Sequence, residues 1–375
     1  MAGGARRPHV IETDASSSFI CDYVAGVNRV LSLPPFLLVD NIGRNFEVWR
    51  FQSDEVAPAA RTLYDLTSYP ADPMASLLDV DVHAAFLRRD HRQLLAVNHY
   101  GRVRGFDLPV TASRLRPAWE LQLLGDTERI VMAGDCFIAS SPRGEFTDDP
   151  AQPGVFLFEP IAMPVGPSRE ARRLACDQAL AGWGVISALA VPAAVNRLAV
   201  AAGLRLGVFD LACSRAGVRL GDCLWEGPLD FHCQWLQFDG DDRLWAAGHR
   251  PSPAVAAGAA WDDCRGGGIT AFAVDTGNRQ VAAALPEATA WGYGADPVVL
   301  EGGGRQLYVL GRDASLHVVD VTTCATHRPY LPLEAVAGTT LPSLGIGHMA
   351  LRGNWLYAGF SRGGFRLLRY SLERF

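Results

Sequence analysis

The chain has 375 residues, 49% of them hydrophobic, and a formal charge of −6. So mild and scattered a charge leaves no electrostatic footprint for nucleic acid, and no apolar run approaches the roughly 18 residues of a bilayer-spanning helix. Nucleic acid and membrane are therefore not expected as partners.

From the N-terminus, MAGGARRPHVIETD has no apolar segment behind its basic pair, so it is not expected to be a secretory signal. Residues 1–20 read as a lead-in with one short strand around His9, Val10 and Ile11. An aliphatic-x-x-aromatic step then recurs along the chain: Val48 to Phe51, Val103 to Phe106, Val155 to Phe158, Leu206 to Phe209 and Ile269 to Phe272. Looser copies follow at Leu316 to Val319 and Leu367 to Tyr370. The second members are spaced by 55, 52, 51, 63, 47 and 51 residues, a period that marks a repeat architecture.

Each step is preceded by a second apolar run: FLLVDN at 36–41, LLAVNH at 94–99, FIASSP at 137–142, LAVAAG at 198–203, LWAAGH at 244–249, LYVLGR at 307–312 and LYAGFS at 356–361. Ahead of these lie first runs such as HAAFL at 83–87, HCQWLQF at 232–238 and HMAL at 348–351. Fourth runs follow the step, as in AWELQLL at 118–124 and VRLGDCLW at 218–225. Four short strands per unit, separated by turn residues, predict an all-β chain. Helical periodicity is nearly absent, which argues against helical repeat arrays.

Seven four-stranded units of this period fit a seven-bladed β-propeller of antiparallel blades, one domain over 1–375. The predicted blades cover roughly 21–68, 78–125, 128–180, 184–227, 230–286, 294–334 and 344–375. The last repeat reaches Phe375 just after its third strand, so the N-terminal strand is expected to close the ring. Closure removes two exposed sheet edges, which otherwise invite aggregation. The chain resembles seven-bladed propellers, of WD40-like or bacterial type, over essentially its whole length. The Trp-Asp dipeptide that ends WD40 repeats is absent from all the third strands, and no family's functional residues carry over.

The eight cysteines form no C-x-x-C pair and there is no N-x-Ser/Thr acceptor, which predicts reduced thiols and a cytoplasmic setting. All 34 basic residues are arginine, so the chain is lysine-free. That fits either the codon bias of a GC-rich genome or selection against lysine modification.

No nucleophile elbow, P-loop, zincin or EF-hand motif occurs. Propeller geometry then guides the search. First strands start on one face, at the mouth of the central channel, and the loops joining second to third strands lie on that face too. Two of those loops are long: 141–154 and 250–268. His83, His232 and His348 open first strands, and Trp183, Trp291, Tyr293, Trp261, Asp230 and Asp296 lie nearby in sequence. This predicts a non-catalytic platform gripping a protein partner with aromatic and arginine anchors. The alternative is an enzyme acting on a small molecule, such as a lactone, sugar or natural-product intermediate. His83, His232 and His348 would then be the catalytic candidates. No cofactor is expected; the same three histidines would be the ligands of a divalent metal if one is held.

Overall fold

The computed structural model describes residues 10–12, 27–41, 45–50, 60–65, 82–88, 92–98, 101–108, 117–123, 127, 129–141, 154–158, 169–170, 173–176, 180, 182–194, 196–214, 217–240, 242–250, 266–287, 289–291, 296–300, 306–312, 315–323, 347–353, 355–360 and 367–372. These residues form strands and turns, in seven separate sheets.

The first sheet is Val27–Leu33, Phe36–Asn41, Asn45–Arg50 and Ala60–Asp65. The second is Val82–Leu87, Gln93–Asn98, Arg102–Asp107 and Trp119–Gln122. Arg129–Ala133, Cys136–Ser141, Gly154–Phe158 and Arg173–Cys176 make the third. The fourth holds Ala188–Ala190, Arg197–Ala202, Arg205–Ser214 and Gly217–Pro228. The fifth holds His232–Asp239, Arg243–His249, Gly267–Ala273 and Arg279–Leu285. Among the described residues the sixth has three strands, Val298–Leu300, Gln306–Leu310 and Leu316–Asp320. The seventh has Gly347–Arg352, Trp355–Phe360 and Leu367–Ser371.

Within each sheet these strands lie in chain order and pair antiparallel. Two additions come from far along the chain. Val10–Glu12 lies antiparallel beside Leu367–Ser371, with Val10 opposite Tyr370. Arg169–Glu170 runs parallel to Trp119–Gln122 and gives the second sheet a fifth strand, which the repeat pattern did not predict.

The second strands are apolar on both faces because each is covered on both. Side chains alternate across a strand, so neighbours in sequence serve different seams. Leu198 and Val200 pack toward the third sheet, while Ala199 and Ala201 pack toward the fifth. Leu94 and Ala96 face the first sheet, and Leu95 and Val97 the third. Seven apolar clusters result, each between two sheets that follow one another. The last joins Ala350, Trp355 and Tyr357 of the seventh sheet to Val30, Leu37, Val39 and Trp49 of the first. First strands also touch across sheets 1 and 2, 2 and 3, 3 and 4, 4 and 5, 6 and 7, and 7 and 1.

Candidate functional site

The starts of the first strands meet in a polar hub. Arg29, buried at 4% exposure in the first sheet, donates from Nη1 to Asp296 Oδ2 at 2.7 Å. Its Nη2 lies 3.3 Å from His83 Nδ1 in the second sheet. A guanidinium only donates, so His83 Nδ1 accepts and its proton sits on Nε2. Arg129 of the third sheet places Nη1 3.7 Å from Asp296 Oδ1. It also donates from Nε to the Ser187 carbonyl at 2.7 Å and from Nη2 to the Gln234 carbonyl at 3.1 Å. Ser187 leads into the fourth sheet; its hydroxyl bonds the Cys233 carbonyl at 2.5 Å and lies 3.3 Å from that of Ala201. The backbone N–H of Asp296 donates to His348 Nδ1 at 3.3 Å, and the Asp296 carbonyl accepts from Met349 N–H at 3.1 Å. One group from each of the seven sheets, or from the segment leading into it, therefore enters a single network.

The backbone prepares this convergence. Three first strands carry an irregularity at their start, between Val27 and Arg29, Val82 and Ala84, and Cys233 and Trp235. A bulge adds one residue without a partner and re-aims the side chains around it. Here the residues inside the shifts include His83 and Gln234. Gly248 faces the third bulge, and a Cβ there would stand 1.8 Å from the His232 carbonyl oxygen. Only glycine lets the two backbones approach so closely.

Electrostatics keeps the deep histidine neutral. His348 has its pKa lowered well below the ordinary value, first by burial and then by Arg29, Arg129 and His83. With Nδ1 accepting, its proton sits on Nε2. The Asp296 carboxylate lies between two guanidiniums, a charge-assisted hydrogen bond from Arg29 at 2.7 Å and a looser ion pair with Arg129 at 3.7 Å.

The sequence candidates divide. His83, His348 and Asp296 come together in the hub. His232 does not join them. Its ring stacks on His249, with centroids 5.3 Å apart and planes 7° from parallel. Burial lowers the pKa of His232, while burial and then His232 push His249 down to about 4. Trp183 and Trp291 are buried in seams between sheets and are not presented at the surface. Trp183 packs on Phe209 and carries the Arg205 guanidinium 4.1 Å from its ring centre. Asp230 is exposed and pairs with Arg279 at 2.9 Å. Tyr293 and Trp261 lie outside the described residues, as do 142–153 and 251–265 of the long loops. Among the described residues no three His, Cys, Asp or Glu side chains are grouped to hold a metal ion.

Sequence reasoning missed Arg29, Arg129, Ser187 and Gln234. Two of them had a signal: a lone arginine at the head of an apolar first strand, in VNRVL and RIVMA. A charge there needs a partner from another strand.

Seven successive sheets packed on one another through apolar seams have a counterpart among solved structures. The chain is similar to the β-propeller domain of Cps50 (Swd1) from Myceliophteria thermophila, with a TM-score of 0.54 over 92% of this chain and 99% of that one. The fold is a β-propeller. Sequence identity across that match is 14%, so the likeness carries architecture alone. No family model matches the chain, and neither does any curated protein.

Proposed function

We propose that the protein is a closed seven-bladed propeller that acts as a non-catalytic platform for a protein partner. Each sheet is one blade, and Val10–Glu12 completes the last blade. The binding face is the one on which the first strands start.

The hub is the observation that carries this reading. The side chains best suited to acid–base work hold the blades together. Asp296 bridges Arg29 and Arg129, His348 accepts a backbone N–H, and His83 accepts from Arg29. A neutral, buried His348 and a doubly paired carboxylate suit a rigid surface better than a proton-transfer site. The long loops leave from the same level of the fold. His249, just before the segment 250–268, pairs with His232 at the start of a first strand, and Ser140, just before 141–154, pairs with Arg129. Fold-level analogy agrees, since the matched structure is described as a β-propeller domain, but by itself it selects no function.

Affinity capture from the native source tests the proposal. Wild type should retain one partner in stoichiometric amount. Replacing 251–265 by a tight turn should lose it without lowering the melting temperature, because loop length contributes little to folding free energy. Capture unaffected by that change, or turnover of a small molecule that needs His83, would overturn the platform reading.

A further inference from the structure

Away from the hub, at the opposite end of the strands, two thiols from neighbouring sheets meet. Arg205–Ser214 and Gly217–Pro228 form a hairpin whose far part, with Leu211 opposite Leu220 and Cys213 opposite Val218, lies beyond two register shifts. Leu211, Val218 and Leu220 of this far part pack in one apolar cluster with Ala133 and Cys136 of the third sheet. Cys213 Sγ donates to the Ala133 carbonyl at 3.3 Å. Ala133 is the register partner of Cys136 across a turn of two residues, Gly134 and Asp135. The Cys213 thiol thus sits on the strand pair that carries Cys136, near enough to help raise the Cys136 pKa. Both are free; Cys136 is buried and Cys213 exposed.

We infer that Cys136 and Cys213 are a redox-modifiable pair, which a small-molecule disulfide oxidises to a bridge between the third and fourth sheets. The asymmetry in exposure sets the order of events. Cys213 is reached first, and its thiolate displaces one thiolate from the oxidant to form a mixed disulfide. Cys136 then gives up its proton and attacks Cys213 Sγ, and the second oxidant thiolate leaves. Two protein thiols are oxidised, one disulfide is reduced to two thiols, and the two protons pass to the leaving thiolates. The Cys136 thiol is pushed up to about 12, first by burial and then by Cys213, so the second step is slow and quickens as pH rises. The bridge ties the far part of the hairpin to the neighbouring sheet, and it encloses a long stretch of chain. Both features restrict the unfolded ensemble more than the folded one.

The full chain incubated with oxidised glutathione, then alkylated and digested without reduction, tests the pair. The expected result is a cross-linked peptide joining Cys136 to Cys213, a melting temperature several degrees higher, and reversal by dithiothreitol. Cys136→Ser should instead accumulate glutathione on Cys213, because the resolving thiol is gone. Cys213→Ser should abolish both the cross-link and the rise in melting temperature. A wild-type protein that stops at the Cys213 adduct, or that links either cysteine elsewhere, would overturn the inference.

Discussion

The seams and the hub hold the same seven sheets together by different physics. A seam, such as Leu198 and Val200 against Ile138 and Leu157, is apolar and non-directional, and it works by excluding water. The hub is a set of directional bonds in which Arg29 and Arg129 share Asp296. A seam tolerates apolar side chains of about the right volume. The hub tolerates only groups that reach the same atoms. This difference predicts unequal responses to substitution.

The largest effect should come from the hub. Arg29→Ala strips a 5%-exposed guanidinium from Asp296 and leaves a partly buried carboxylate with weaker compensation. Because that carboxylate is 31% exposed and keeps Arg129, the cost should fall at the low end of the range for breaking a buried pair, about 3 kcal/mol, measurable by urea unfolding. A loss under about 1 kcal/mol would mean that the hub is ornamental and the seams suffice. Leu198→Ala should cost about 3 kcal/mol, since the side chain is fully buried and leaves a cavity.

Acid should come next, and it probes the stacked histidines beside the hub. The unfolded chain binds a proton at His249 near the ordinary value of 6.5, whereas the folded chain does so only at about 4. A depressed histidine pKa means that stability is whole above the unfolded value and falls as pH drops from 6.5 toward about 4. His232 and His348 shift in the same direction. The His249 contribution is on the order of 3 kcal/mol. Melting curves of wild type and His249→Gln should therefore converge toward low pH; parallel curves would contradict a neutral stack.

Smaller effects separate the two regions most cleanly. Leu198→Met keeps volume and should cost less than about 1.5 kcal/mol. Arg29→Lys keeps charge but has a single ammonium in place of a fork, so it should cost more than Leu198→Met despite being nominally conservative. The reverse order would erase the distinction between seam and hub. Smallest of all, Asp230→Asn at its exposed pair with Arg279 should leave the melting temperature unchanged.

The amino-acid pattern alone determined the repeat and the four-strand rhythm. These follow from local rules: alternation along a strand, turn residues between strands, and an aromatic at a fixed step. Val48, Val103, Phe106, Val155, Phe158, Leu206 and Phe209 are buried where that rhythm puts them. The site was only partly legible. His83, His348 and Asp296 stood out as polar residues at strand starts, but their company with Arg29, Arg129, Ser187 and Gln234 depends on strands 46 to 319 residues apart in sequence. The tertiary structure decided which polar groups meet, because bulges at Val27–Arg29, Val82–Ala84 and Cys233–Trp235 re-aim side chains by one residue. His83 lies inside its bulge, whereas His232 lies before its own and stacks on His249. Trp183 and Trp291 went to the seams for a related reason: a large ring near the start of a sheet is most stable where two neighbouring sheets can cover it, and that cover comes from the packing of whole sheets.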